Sequence, residues 1–123
     1  MGALNRLFET HVESRDNHPD PKLKTRYFKT SKSNVMDEVR AWIESSKGFE
    51  LLDVSEERGE LAAKVNGRKK GLLVLTVITV RPFRTAIDLS FTVDKGLNRG
   101  YGQSIYQSVC DTVGKRYEAV SLY

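Results

Sequence analysis

Arg68, Lys69, Lys70, Lys95 and Arg99 are the side chains with most to offer chemically, and Gly100 and Gly102 stand beside the last of them. Arg68 to Lys70 follow the turn signal Asn66-Gly67, and Lys95 to Gly102 lead into an amphipathic stretch. If the two turns meet at one end of the molecule, these cations could hold an anion such as a phosphate. Backbone N–H groups near Gly100 to Gly102, at the start of a helix, would assist them. A plainer origin competes with that reading, because charged hairpin tips stay solvated and are lysine-rich for that reason alone. The spacing Gly96-x-x-x-Gly100-x-Gly102 departs from both the phosphate-loop and the dinucleotide patterns, and no Gly-Lys-Ser/Thr follows. Nucleotide hydrolysis therefore has no support.

Other constellations are thin. His11 and His18 lie seven residues apart in a segment broken by Pro19 and Pro21, with no rigid element expected to aim them at a metal or a nucleophile. Cys110 falls beside the stripe Ile105, Val109, Val113, which reads as a packing thiol rather than a nucleophile. Asp53 and Asp88 lie in strands without a spacing that sets two carboxylates at a fixed gap. Trp42, with Met36 and Ile43 at helical steps, belongs to a core. Arg26-Tyr27-Phe28-Lys29 interleaves aromatics with cations as base-stacking surfaces do, but an edge strand with inward aromatics and outward charges looks the same. We expect no catalytic residues, no metal, no cofactor and no nucleic-acid partner.

The elements that would position these groups follow from size and pattern. The 123 residues, 39% hydrophobic and 29% charged, suit one compact domain burying about two-thirds of its surface. No run approaches the roughly 20 apolar residues of a membrane-spanning helix, and the uncharged stretch Gly71 to Val80 is about half that length. The first residues lack a secretory pattern, and a single cysteine excludes an intramolecular disulfide and a Cys-rich zinc cage. A reducing cytoplasm is the expected home. The net charge of +4 is a mild bias toward anionic partners.

Residues 1–22 read as a loosely held arm and residues 23–123 as one domain. Leu23 to Lys29 suggests a first strand, and Thr30-Ser31 caps a helix from Lys32 to Lys47 that buries Val35, Met36, Val39, Trp42 and Ile43. Gly48 supplies a left-handed stop. Phe49 to Val54 and a strand bearing Leu61, Ala63 and Val65 flank a loop in which Gly59 takes a positive φ. Leu72 to Val80 is apolar on both faces, the pattern of a central strand covered on each side or at least flanked by partners. Pro82 ends it, and Ile87, Leu89, Phe91 and Val93 alternate along a half-buried fifth strand. A second helix runs from near Tyr101 to Tyr117.

The order β-α-β-β-β-β-α implies a two-layer α+β domain, an antiparallel meander with both helices packed on one face. Strand reversal then sorts the turns. Arg68 to Lys70, Lys95, Arg99 and Lys47 share one end, while Glu56, Glu57, Arg58, Arg81 and Arg84 share the other. Between Leu61 and Ile87 there are six Lys or Arg and no Asp or Glu. A nine-residue strand spans about 30 Å, about three Debye lengths, so these do not form one patch.

The segments Leu23-Lys24-Thr25-Arg26-Tyr27-Phe28-Lys29 and Phe49-Glu50-Leu51-Leu52-Asp53-Val54-Ser55-Glu56-Glu57-Arg58-Gly59-Glu60-Leu61, followed by an apolar strand pair and a Gly/Asn/Arg loop, resemble the uncharacterised bacterial family called domain of unknown function fourteen ninety-nine. The resemblance covers roughly residues 23–117 and implies the fold; the family brings no reaction to carry over. The expected role is a non-enzymatic binding module for a protein partner or a small anionic ligand. Two alternatives stand beside it: a carrier or enzyme with a pocket between sheet and helices, and a self-associating protein that pairs, as a homodimer, through a strand edge or the tail Tyr117 to Tyr123.

Overall fold

The computed structural model describes residues 10–121. The strands are β1 (His11–Glu13), β2 (Arg26–Phe28), β3 (Phe49–Ser55), β4 (Glu60–Asn66), β5 (Lys70–Arg81), β6 (Arg84–Val93) and β7 (Ala119–Val120), and the helices are α1 (Lys32–Ser45) and α2 (Tyr101–Gly114). All seven strands join one antiparallel sheet in the order β3-β4-β5-β6-β2-β7, with β1 also paired to β6. The expected meander and the α+β class are present. The inward side chains, Leu61, Ala63 and Val65 on β4, Leu73, Leu75 and Val77 on β5, and Ile87, Leu89, Phe91 and Val93 on β6, are buried beneath the two helices.

Local chemistry explains the helix and turn boundaries. Ser31 accepts a hydrogen bond from the Asn34 amide and so caps α1, and Gly48 and Gly59 take φ of +85° and +70°, a region closed to most side chains. The last turn of each helix falls short of the expected end, at Ser45 rather than Lys47 and at Gly114 rather than Tyr117.

The structure bears on three expectations. His11–Glu13, assigned to a loose arm, pairs with Ser90–Thr92 of β6, and residues 1–9 lie outside the described residues. β1 and β2 run along the same edge of β6 as two halves of one interrupted strand. Between them the chain leaves the ladder as an excursion over residues 16–24, whose neck is closed by Arg15 N–H to Leu23 O and Thr25 N–H to Arg15 O. Asp88 faces that neck and accepts from both Ser14 Oγ and Thr25 Oγ1 at 2.6 Å. The prolines thus shape a compact turn instead of releasing the segment, and Leu23 anchors it in the core at 2% exposure.

Second, β5 is the central strand expected, flanked by β4 and β6, but it is not covered on both faces. Its outward residues Leu72 and Ile78 are 47% and 44% exposed, because both helices lie on the opposite side. Third, the tail pairs within the molecule: Val120 lies opposite Tyr27, and Ala119 opposite Phe28. Leu122 and Tyr123 lie outside the described residues. Among the described residues no helix is long and apolar enough to cross a membrane.

Candidate functional site

The two turns expected to meet do meet in part. The Arg68 guanidinium sits 4.8 Å from the centre of the Tyr101 ring, and its Nη2 donates to the Arg99 carbonyl. Gly67 allows this approach, since a Cβ there would stand 2.4 Å from Tyr101 Oη. Its role is therefore close contact, and it is absent from the glycines with positive φ. Lys70 begins β5, with its carbonyl accepting from the Asp94 amide, so an acidic residue joins the basic end. Lys69 is half-buried, and Lys95 is exposed in the turn after β6.

The backbone half of the anion hypothesis is corrected. The Tyr101 amide donates to the Asn98 carbonyl and the Gly102 amide donates to Asn98 Oδ1 at 2.7 Å. Asn98, 3% exposed, fills the role of an N-cap and leaves those two donors unavailable to a ligand. Its Nδ2 donates to Gln103 Oε1, which fixes the amide's orientation. Gly100, with φ +79°, turns the chain into α2.

What sequence reasoning missed is a cleft of about 600 Å³ between the excursion and the loop before α2. Val12, Leu23, Pro19 and Leu97 give it apolar walls, and His11, Arg15, His18 and Arg99 bring basic groups. Glu13 and Asp20 also border it, but both are engaged. Glu13 Oε1 lies 2.8 Å from His11 Nε2, while Asp20 accepts from the Lys22 amide and from Gln103 Nε2. The Lys22 amide above all holds the Asp20 carboxyl below its usual range, with Gln103 helping and burial opposing. Among the described residues, Arg15 and Arg99 have no ion-pair partner. Both histidines are held: His11 Nδ1 lies 2.6 Å from Thr92 Oγ1, and His18 Nδ1 accepts from the Asp20 amide.

Elsewhere the chemistry is structural. Between the layers, Tyr106, Phe28, Phe91, Leu23 and Ile43 occupy the space that an interlayer pocket would need. Tyr106 Oη accepts from the Arg26 amide and donates to Ile87 O at 2.6 Å. Burial pushes its hydroxyl far above the usual tyrosine range. Cys110 is 3% exposed, and burial pushes its thiol up to about 12, the property of a packing group. Tyr27 and Phe28 are buried, which removes the aromatics a base-stacking surface would use. Among the described residues no group of three His, Cys, Asp or Glu comes together in a way that could hold a metal ion. No protein-family model matches this chain, and no curated protein matches it.

Proposed function

We propose that this protein is a non-enzymatic binding module that takes a small organic anion in the cleft between the excursion and the loop before α2. One observation carries the reading. The cleft sets apolar walls beside two arginines, Arg15 and Arg99, that lack ion-pair partners among the described residues, while both its carboxylates are engaged by neighbouring groups. Two exposed like charges bordering one concave site favour a counter-ion, and an apolar floor favours a ligand with a hydrocarbon or aromatic body. A bare phosphate would leave that floor in water. Arg99 keeps its place from the original candidate set; Arg68 supports it from outside by bonding its carbonyl.

The reading is tested by calorimetric titration with anilinonaphthalene sulfonate, which joins an anion to an aromatic body, and in parallel with inorganic phosphate. The sulfonate should bind saturably and more weakly as salt is raised, with phosphate at least tenfold weaker for want of apolar contact. Equal affinity for the two, or no saturable heat with either, would remove the cleft as the binding site.

A further inference from the structure

A second feature lies at the other end of β6 and owes nothing to the cleft. The β5–β6 hairpin closes through Pro82 and Phe83, with Arg81 opposite Arg84. Phe83 is 71% exposed and holds φ +56°, a left-handed conformation that glycine or asparagine would adopt at less cost. Pro82 ahead of a positive φ is the pattern of a type II turn, so glycine is the residue the backbone itself would select. Burial of the ring cannot be the reason for phenylalanine there, since the ring is in solvent.

The hairpin also projects. The last bond between the β4 side of the neighbouring hairpin and β5 runs from the Val77 amide to Gly59 O, and β5 continues beyond that bond for Ile78 to Arg81, about 13 Å. Val80, 39% exposed, stands near the tip with Phe83. On the other side β2 pairs up to Phe28 opposite Thr85, which brings Lys29 level with Arg84. The tip thus gathers Phe83 and Val80 with Arg81, Arg84 and Lys29. The nearest acids by register are Glu118, whose carbonyl bonds the Lys29 amide, and Glu56 and Glu57 in the shorter hairpin set back from the tip.

The geometry points to this tip as a docking element for an anionic lipid surface, with Phe83 entering the headgroup region and the cations meeting lipid phosphates and carboxylates. A narrow convex tip offers too little area for a stable protein interface of about 800 Å² per partner, whereas a bilayer deforms around a single aromatic wedge. Charge complementarity selects anionic lipid over neutral lipid. The attachment is peripheral and needs no spanning segment.

The experiment is flotation of the full chain with vesicles of phosphatidylcholine, with or without phosphatidylserine, at low and high salt. The chain should float with the serine-containing vesicles at low salt and stay behind with phosphatidylcholine alone. Phe83→Gly should lower partitioning about tenfold, and Arg81→Gln about fivefold. The glycine variant relieves the positive φ, so its urea midpoint should equal or exceed that of the original chain, which separates lost docking from lost folding. Three results would overturn the proposal: no flotation with either vesicle, flotation that Phe83→Gly leaves intact, or self-association without lipid that Phe83→Gly abolishes. The last would assign the tip to a second copy of the chain.

Discussion

Arg68 lies over Tyr101, its guanidinium carbon 4.8 Å from the ring centre, and this contact ties the β4–β5 turn to the start of α2. The same guanidinium reaches the Arg99 carbonyl, so one side chain braces both the helix entry and a wall of the cleft. Replacing Arg68 with Gln should lower stability by about 0.5–1 kcal/mol, the size of an exposed cation–aromatic contact, read as a lower urea midpoint at unchanged slope. An unaltered midpoint would mean the contact contributes nothing.

Tyr106 stands in the ladder between β2 and β6, receiving the Arg26 amide and giving its own proton to Ile87 O. Arg26 and Ile87 are register partners, so the hydroxyl takes the place of a direct backbone bond. Tyr106→Phe keeps the ring but strands one donor and one acceptor in a buried setting. The expected loss is about 1–3 kcal/mol by denaturant unfolding, with amide exchange fastest at Arg26.

Asp20 is a clip between the excursion and α2 through Lys22 and Gln103. Its folded-state pKa is depressed below 3.8, so its contribution is present above that unfolded value and is lost as pH falls through the folded one. Amide exchange in the 16–24 segment should therefore accelerate below about pH 4, ahead of exchange in β5. Asp20→Ala should bring the same acceleration at neutral pH. Exchange that rises equally in both segments would place the clip's effect elsewhere.

Much of the scaffold was legible because it depends on local rules. Ser31 caps, Gly48 and Gly59 reverse, and the stripes of both helices and the alternation on β6 declare their buried faces in short windows. β1 and β7 escaped because three and two residues are too few to display a period, and each pairs with a strand distant in the chain, β1 with β6 (His11 opposite Thr92) and β7 with β2 (Val120 opposite Tyr27). The central place of β5 was legible and its open face was not, because an apolar run does not say which of its sides will find a cover. At the site, strand reversal correctly joined Arg68 to Arg99, whereas Asn98 was read as plain loop although asparagine is a preferred cap and Gly102 offered it an amide. The cleft itself is assembled from residues near 12–23 and 97–103, a juxtaposition no spacing rule encodes.

The most direct test of the cleft is an amide chemical-shift titration with anilinonaphthalene sulfonate, run on the original chain and on the Arg15→Gln/Arg99→Gln double variant. The account predicts saturable shifts concentrated at Val12 to Asp20 and Leu97 to Gln103, with affinity about tenfold or more weaker in the double variant, as expected for losing charge-assisted hydrogen bonds. Shifts centred instead on Leu72 and Ile78 of the open sheet face, or an affinity that the double variant leaves unchanged, would contradict it.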